Sequence, residues 1–251
     1  MLPAEPSAVD PAEIAGAARA RTTVLSRIAD ACTRSGRDPA AIHLVAVSKT
    51  VSAERVRAAA AAGLEVFGEN RVQEAEAKRP LVGTGSWHLI GPLQGNKARR
   101  AVETFDVIES VDSLDLARRL DRIVRELRDL PAAGDVPTER RFPILVQVNV
   151  DDDPGKAGFT PASLADALPE LIGLGALRVD GCMTIGRLVE DPDDARPTFR
   201  RLRALAADLR SREPALGPQL SMGMTDDYPV AVEEGATIVR VGRALFGERG
   251  A

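Results

Sequence analysis

Aromatic residues, histidines and cysteines are all scarce in this chain of 251 residues. Phe, Trp and Tyr make up 3% of it, too few for the stacked aromatic surface that binds single-stranded nucleic acid. Two histidines do not make a histidine-rich metal site, and Cys32 and Cys182 lack the close spacing of zinc ligands. Two distant cysteines are typical of a reducing, intracellular setting, so we expect a cytoplasmic protein without a bound metal.

The sequence also lacks a long apolar run and an excess of positive charge. No segment is long enough to cross a membrane, and the first residues lack the basic and apolar regions of a signal peptide. The net charge of -4 gives no attraction for nucleic acid or an anionic membrane surface. Because 44% of the residues are hydrophobic and 28% are charged, we expect a soluble globular protein.

What the chain does have is a regular alternation of short apolar segments and amphipathic segments. The apolar segments are of the kind found in parallel strands that are buried on both faces. They begin at His43, Leu64, Trp87, Phe105, Pro143, Leu177, Gln219 and Thr237. Eight strand–helix units in roughly 250 residues are the count and size of a (β/α)8 barrel. We therefore predict an α/β protein with a single TIM-type barrel over residues 11–251.

Three segments do not belong to this alternation. Residues 1–10 are predicted to be a loose tail, and the apolar stripe from Pro11 to Arg34 predicts an extra helix that could plug one end of the barrel. The loop Pro131–Thr138 is rich in helix breakers, but the same alternation resumes beyond it, so we do not expect a domain boundary there. The helix after the second strand is predicted over Arg71–Lys78, ending before Pro80.

Lys49 ends the first predicted strand, just before a helix that Ser52 is expected to cap. Ligands of α/β barrels bind at this carboxyl end of the strands. A neutral lysine amine in such a place is a nucleophile towards aldehydes. The alternative is a lysine whose ammonium group simply extends into solvent.

Polar residues and glycines follow other strands at the same end of the predicted barrel. Asn70 follows strand two, and the loops after strands seven and eight form the usual phosphate site of this fold. These two loops contain Ser221, Thr225, Arg240, Gly242 and Arg243. Each of them has an ordinary alternative role, as a helix cap, a turn or a surface charge. A phosphate site opposite a primary amine suits a phosphorylated aldehyde, and pyridoxal 5′-phosphate (PLP) is the obvious candidate.

Six segments together resemble the pyridoxal phosphate homeostasis protein family, which is similar to the N-terminal barrel of bacterial alanine racemase. The resemblance runs from about residue 12 to residue 249, in the family's order. Its motifs are Ala46–Lys49, Phe67–Asn70, Trp87–Lys97, Lys156–Phe159, Ser221–Asp227 and Val239–Gly247. The chain departs from the family at Thr225, where serine is frequent, and in the loop Asp151–Gly155, which lacks the usual glutamate. We therefore transfer nothing from that loop except Lys156 and Gly158.

The resemblance implies a role for each residue of the site. Lys49 would form the internal aldimine with PLP, Arg240 would face the pyridine nitrogen, and Asn70 would lie beside the ring. The phosphate would be held by Ser221, by Gly242 and by the turn at Arg243, with help from Thr225. Because arginine stays charged, the ring nitrogen next to it would not hold a proton, and the cofactor would be a weak electron sink.

The resemblance thus implies an intracellular PLP-binding protein that serves PLP homeostasis without robust catalysis, with PLP-dependent apoenzymes as possible partners. We expect a monomer, without the C-terminal β-domain whose tyrosine serves alanine racemases as second acid/base. Tyr228 is an alternative source of that group, and His88 is either a structural, hydrogen-bonded histidine or a proton shuttle. Two enzymatic alternatives stay open, a low-activity amino-acid racemase and a Schiff-base aldolase acting on a phosphorylated sugar.

Overall fold

The computed structural model describes residues 9–131, 136–187 and 189–247. Eight parallel strands close into a barrel in the order of the chain, with the last strand pairing back to the first. The strands are β1 (His43–Val47), β2 (Val66–Glu69), β3 (Ser86–Leu89), β4 (Val107–Val111), β5 (Phe142–Gln147), β6 (Leu177–Met183), β7 (Gln219–Ser221) and β8 (Ile238–Val241). The predicted (β/α)8 barrel is confirmed, with strand ends that differ from the predicted ones by a few residues.

The helices of the described residues surround the barrel. They are α1 (Pro11–Ser35), α2 (Ala53–Ala61), α3 (Val72–Val82), α4 (Ala98–Thr104), α5 (Leu114–Arg128), α6 (Pro161–Gly173), α7 (Arg196–Arg212), α8 (Tyr228–Glu233) and α9 (Arg243–Phe246). Ser52, Ser113 and Thr160 cap three of them by accepting a hydrogen bond from a backbone N–H of the first turn. Over the described ranges, none of these helices is both long and apolar enough to span a membrane.

Helix α3 is longer than its sequence suggests. The prediction that it ends before Pro80 is wrong, because the helix continues through Pro80 to Val82. Pro80 is the third residue from the end of the helix, and its helical φ angle is kept at the loss of one hydrogen bond, that to the Glu76 carbonyl. The helix stops at Gly83, whose φ of 74° is left-handed and whose N–H donates to the Arg79 carbonyl.

The predicted extra N-terminal helix is present as α1, but it does not plug an end of the barrel. It lies in the outer layer, where it packs against α2, α8 and α9. Since α9 has only four residues, the ring of helices has a gap beside β8 that α1 fills with its buried stripe of Val24, Ile28, Ala31 and Cys32. Most of the predicted tail (residues 1–8) and part of the predicted loop (residues 132–135) lie outside the described residues.

Alternation along the strands separates two buried faces of the sheet. The inward face carries a small apolar layer of Val45, Leu145, Met183 and Ile238. The outward face packs against the helices in a much larger core, in which the Phe67 and Trp87 rings are in contact at 5.4 Å between centroids. A residue two positions beyond an inward one therefore points inward again, one layer closer to the mouth of the barrel.

Candidate functional site

A cleft of about 580 Å³ opens at the carboxyl ends of the strands. That volume is in the range of small-molecule sites. Six of the seven predicted site residues line it, from the ends of β1, β2, β7 and β8 and from the segments that follow them. They are Lys49, Asn70, Thr225, Arg240, Gly242 and Arg243. The structure therefore brings these six residues together in one cleft.

The period of two residues along a strand explains how they meet. Lys49 continues the inward series of Val45 and Val47, and Arg240 and Gly242 continue that of Ile238. On β2 the inward series passes through Gly68 to Asn70. A Cβ atom at Gly68 would lie 2.7 Å from Val45 Cγ1 and 3.1 Å from Ile90 Cδ1, so glycine leaves room for these two side chains inside the barrel.

Lys49 is half-buried in a tight turn that follows β1. The Val51 N–H donates to the Ser48 carbonyl at 3.0 Å and closes this turn. Within it Thr50 has a φ of 65°, a left-handed conformation that is unfavourable for a β-branched residue. The backbone that carries the predicted nucleophile is therefore held in a strained conformation.

The opposite wall of the cleft joins the loops after β7 and β8. The Gly242 N–H donates to the Thr225 hydroxyl at 3.3 Å. Arg243 starts α9, in which the Leu245 and Phe246 N–H groups already donate to the Gly242 carbonyl, so that only those of Arg243 and Ala244 precede the first hydrogen bonds of the helix. The exposed Arg243 guanidinium pairs with Asp226. A hydroxyl, helix-end N–H groups and a cation together are donors that suit a phosphate.

Arg240 lies in the barrel interior, 4% exposed, at the end of a hydrogen-bonded chain. Its guanidinium donates to the Ser221 hydroxyl at 2.6 Å and to the Thr184 carbonyl at 2.8 Å. Ser221 in turn donates to Glu109 at 2.5 Å. His88 Nδ1 lies 2.6 Å from the other Glu109 oxygen, and an ionised carboxylate only accepts, so Nδ1 carries a hydrogen. We call His88, Glu109, Ser221 and Arg240 the inner network.

Charges within the inner network compensate one another. Burial alone would raise the pKa of Glu109, but the hydrogen bond and charge of His88, the charge of Arg240 and the Ser221 hydrogen bond lower it. Burial lowers the pKa of Arg240 from its usual value, opposed by the charges of Glu109 and Asp227. Arginine nevertheless stays charged at neutral pH. Burial raises the pKa of Asp227, opposed by the Met224 N–H that it accepts at 2.6 Å.

Ser221 is the one predicted phosphate ligand that the structure does not bring to the cleft. It is fully buried, and its hydroxyl already accepts from Arg240 and donates to Glu109. The reason is its inward position within β7, one layer below the mouth. Glu109 was missed from the sequence, although a glutamate at an inward position of an apolar strand is the signal that would have found it.

A second buried network lies on the outward face of β1 and β2. Lys78 of α3 donates to the Ser48 carbonyl and to Glu69, both at 2.8 Å, and to Glu74 at 3.3 Å. The Ser48 hydroxyl also donates to Glu69 at 2.8 Å, and Glu74 accepts from the Thr50 N–H at 3.0 Å. We call Ser48, Glu69, Glu74 and Lys78 the outer network.

Sequence reasoning missed the outer network as well. The signals were a glutamate inside the strand motif and a Glu74–Lys78 pair with the i,i+4 spacing of a helix. Burial raises the pKa of Glu69 more than Lys78 and Ser48 lower it. The pKa of Glu74 is lowered, since the Thr50 N–H and Lys78 outweigh its partial burial.

The remaining polar residues singled out from the sequence have other positions. Lys156 donates to the carbonyls of Ile185, at 3.2 Å, and Gly186, at 3.1 Å, and Ile185 lines the cleft. Tyr228 is fully buried outside the cleft lining, with the Arg27 guanidinium 5.6 Å from its ring centroid. Among residues 9–131, 136–187 and 189–247, no three acidic, histidine or cysteine side chains form a metal-binding group.

Comparison with known proteins finds a family model and named relatives that cover most of the chain. The family model of the alanine racemase N-terminal domain matches residues 26–250. A protein named pyridoxal phosphate homeostasis protein from Aquifex aeolicus is 41% identical over 230 residues, 90% of this chain and 95% of the relative. Its namesake from Pseudomonas aeruginosa is 42% identical over 233 residues, 90% of this chain and 93% of that one.

Solved structures extend the comparison. The chain superposes on PipY of Synechococcus elongatus, determined with PLP bound, with a TM-score of 0.75 and 43% identity, covering 89% of this chain and 100% of PipY. It also superposes on alanine racemase from Corynebacterium glutamicum, with a TM-score of 0.67 and 17% identity, covering 94% of this chain and 61% of the racemase. At that identity the racemase shows the fold alone.

Proposed function

The chain belongs to the pyridoxal phosphate homeostasis protein family, and from that premise we propose that it binds PLP in the cleft and serves PLP homeostasis. The observation that carries the proposal is the joint position of Lys49 and Arg240 in one cleft, with Thr225, Gly242 and Arg243 beside them. An amine, a buried guanidinium and a set of phosphate donors match the aldehyde, the pyridine nitrogen and the phosphate of PLP.

Lys49 is the proposed covalent anchor. PLP supplies an aldehyde and a conjugated ring that can withdraw electrons. The neutral Lys49 amine attacks the aldehyde carbon, a C=N bond forms, the C=O bond breaks, and the oxygen leaves with both amine hydrogens as water. Thr225, the Gly242 turn and the helix start at Arg243 are the proposed phosphate ligands. For Ser221 we propose a different role, holding the Arg240 guanidinium through its hydroxyl.

We propose that the protein holds PLP and does not turn over substrate at an enzyme's usual rate. Arg240 stays charged, so it would keep the pyridine nitrogen next to it unprotonated and limit the stabilisation of a carbanion. The single tyrosine of the chain, Tyr228, is buried outside the cleft lining and so supports no second acid/base. We also propose that the protein acts in the cytoplasm as a monomer and supplies PLP to apoenzymes.

A spectrum of the purified protein with PLP tests this function. We expect a visible absorption band, and reduction by borohydride followed by peptide mapping should label Lys49. Lys49→Ala should lack the band and the label. A colourless protein that reacts with a phosphorylated sugar would instead be an aldolase, and an unchanged label at Lys156 in Lys49→Ala would refute the assignment of Lys49.

Exchange of the alpha proton of L- and D-alanine in deuterated water tests the absence of catalysis. We expect no exchange, or very slow exchange. A rate in the common enzyme range of about 1–1000 per second, lost in Lys49→Ala, would make the protein a racemase.

A further inference from the structure

We infer that the outer network is a positioning device for Lys49, in which Glu74 and Lys78 of α3, with Glu69, set where its amine stands in the cleft. The inference rests on the proposed function, because it assigns a purpose to residues that do not line the cleft themselves. They act through the backbone on both sides of Lys49.

The outer network holds this turn by hydrogen bonds on both sides of Lys49. On one side, Lys78 donates to the carbonyl of Ser48. On the other side, the N–H of Thr50 donates to Glu74. Lys49 is therefore the single residue between two backbone groups that are both bound to one helix. Its Cα position follows α3.

The conformation of the turn requires such a grip. Thr50 stands at a φ of 65°, where threonine is disfavoured, so an isolated chain of this sequence would leave that conformation. Strain of this kind persists only where the surroundings determine it. The Thr50 N–H points at a carboxylate oxygen 3.0 Å away, and the left-handed conformation brings it there.

The chemistry of the network favours a positioning role over a stabilising one. The three hydrogens of the Lys78 ammonium meet three acceptors, on Ser48, Glu69 and Glu74. Yet the second oxygen of Glu69 is buried and has no hydrogen-bond partner within the part of the chain that the structure describes. Buried ion pairs are often no more stabilising than apolar residues of the same volume. Apolar residues would fill this space as well, but they would not hold the Ser48 carbonyl or the Thr50 N–H.

Two ligands separate positioning from general support of the fold. PLP carries the aldehyde that needs the Lys49 amine, whereas pyridoxine 5′-phosphate has the same ring and phosphate without it. Misplacing a reacting group by about 1 Å strongly disfavours bond formation. Loss of the hydrogen bonds between the outer network and the turn should therefore weaken the binding of PLP and leave the binding of pyridoxine 5′-phosphate nearly unchanged.

The experiment uses two matched pairs of variants of the full chain. Lys78→Met is compared with Arg79→Met, because the adjacent Arg79 also donates to a backbone carbonyl and a carboxylate, at Thr104 and Asp106. Glu74→Ala is compared with Glu76→Ala, since these two side chains on α3 are 26% and 28% exposed, and Glu76 pairs with Arg100 instead.

We expect Lys78→Met and Glu74→Ala to raise the Kd for PLP by about tenfold, with a change of less than about threefold for pyridoxine 5′-phosphate. Neither control should change the ratio of the two affinities. An unchanged ratio in both test variants, or the same change in the controls, would overturn the inference. Should Lys78→Met not fold, Glu74→Ala decides alone, because its side chain is partly exposed.

A measurement on the PLP-free protein keeps this inference separate from the proposed function. Trinitrobenzenesulfonate labels lysine amines, and peptide mapping gives the rate at Lys49 relative to Lys97 in the same molecule. We expect that ratio to rise at least about threefold in Lys78→Met and to stay constant in Arg79→Met, because a released turn exposes the amine more. If the wild type binds no PLP, the proposed function fails, and the labelling ratio still decides whether α3 positions Lys49.

Discussion

The inner and outer networks lie on opposite faces of one sheet and serve different parts of the chain. The inner network ends on a side chain, the Arg240 guanidinium, which it holds through Ser221. The outer network ends on the backbone of a turn, at Ser48 and Thr50. The Arg240 guanidinium is held through its own donors, whereas the outer network holds the backbone on either side of Lys49. The difference suggests why the barrel carries two buried charged networks near one cleft.

Their glutamates differ as well, although Glu109 and Glu69 are both fully buried. The pKa of Glu109 is lowered because the hydrogen bonds from His88 and Ser221 and the charge of Arg240 outweigh its burial. The pKa of Glu69 is raised because burial outweighs its single cation, Lys78. Burial alone therefore does not fix the direction in which the pKa of a carboxylate shifts.

The largest expected effect is on stability when the inner carboxylate is removed. Glu109→Ala removes the buried carboxylate that faces the Arg240 charge through the Ser221 hydroxyl, and leaving a buried charge uncompensated typically costs about 3–5 kcal/mol. Glu69→Ala should cost less, because the poorly compensated Glu69 gains less from ionising in the fold. Urea unfolding of both variants measures the two losses. Equal losses of unfolding free energy in the two variants would contradict the expected difference between Glu109 and Glu69.

A smaller loss is expected for Ser221→Ala. The hydroxyl links Arg240 to Glu109, and a hydrogen bond to a charged group contributes about 1.5–3 kcal/mol. Unfolding midpoints should therefore fall, while the ratio of PLP to pyridoxal affinity stays constant. A Ser221→Ala variant with normal stability and a selective loss of PLP would return Ser221 to the phosphate site.

Thr225→Val tests the wall of the cleft with little expected effect on stability. Valine keeps the shape of threonine but removes the hydroxyl that accepts from the Gly242 N–H and would face a phosphate. We expect the affinity for PLP to fall by about tenfold, or about 1.4 kcal/mol, and that for pyridoxal to change much less. Titration calorimetry with both ligands gives the two values. If the affinities for PLP and for pyridoxal fell by the same factor, the phosphate would have to bind elsewhere.

The smallest expected effect is the pH dependence that separates the two glutamates. A raised pKa in the fold means that the Glu69 contribution is present below the ordinary value of 4.5 and is lost as the pH rises through its folded pKa. A lowered pKa means that the Glu109 contribution is present above 4.5 and is lost as the pH falls through its folded pKa.

Unfolding of Glu69→Gln and Glu109→Gln on both sides of pH 4.5 measures this dependence. Relative to wild type, Glu69→Gln should gain stability as the pH rises above 4.5. Glu109→Gln should gain relative stability as the pH falls below it. Shifts of the same sign for both variants would contradict the assigned directions.

The sequence predicted the barrel from the regular alternation of strands and helices, and it grouped Lys49, Asn70 and the last two loops because the carboxyl ends of parallel strands meet at one mouth. Lys49 and Arg240 are reached by counting along strands whose inward face is apolar. Ser221 shows the limit of such counting, because inward residues one layer deeper face the interior of the barrel and not the ligand. Depth along the barrel axis depends on strand stagger, which a single sequence does not display.

The contact between the outer network and the backbone was missed for a different reason. The residues of the network come from β2, from α3 and from the position after β1. One group that they hold is the Ser48 backbone carbonyl, which every residue type carries and which a sequence therefore does not mark. The left-handed Thr50 is similarly invisible, since glycine or asparagine would be expected there. Tertiary contacts decide both features, as they decide that α3 continues through Pro80.

The position of α1 also constrains how the protein can be made. Arg34 of α1 bonds Glu233 of α8, which is synthesised 199 positions later. At the usual elongation rate of about 5–20 residues per second, roughly 10–40 s pass before that partner exists. During this interval α1 can pack against α2, which follows it directly in the chain, but not against α8 or α9. The packing of this helix is thus completed only when the elements at the other end of the barrel sequence have been translated.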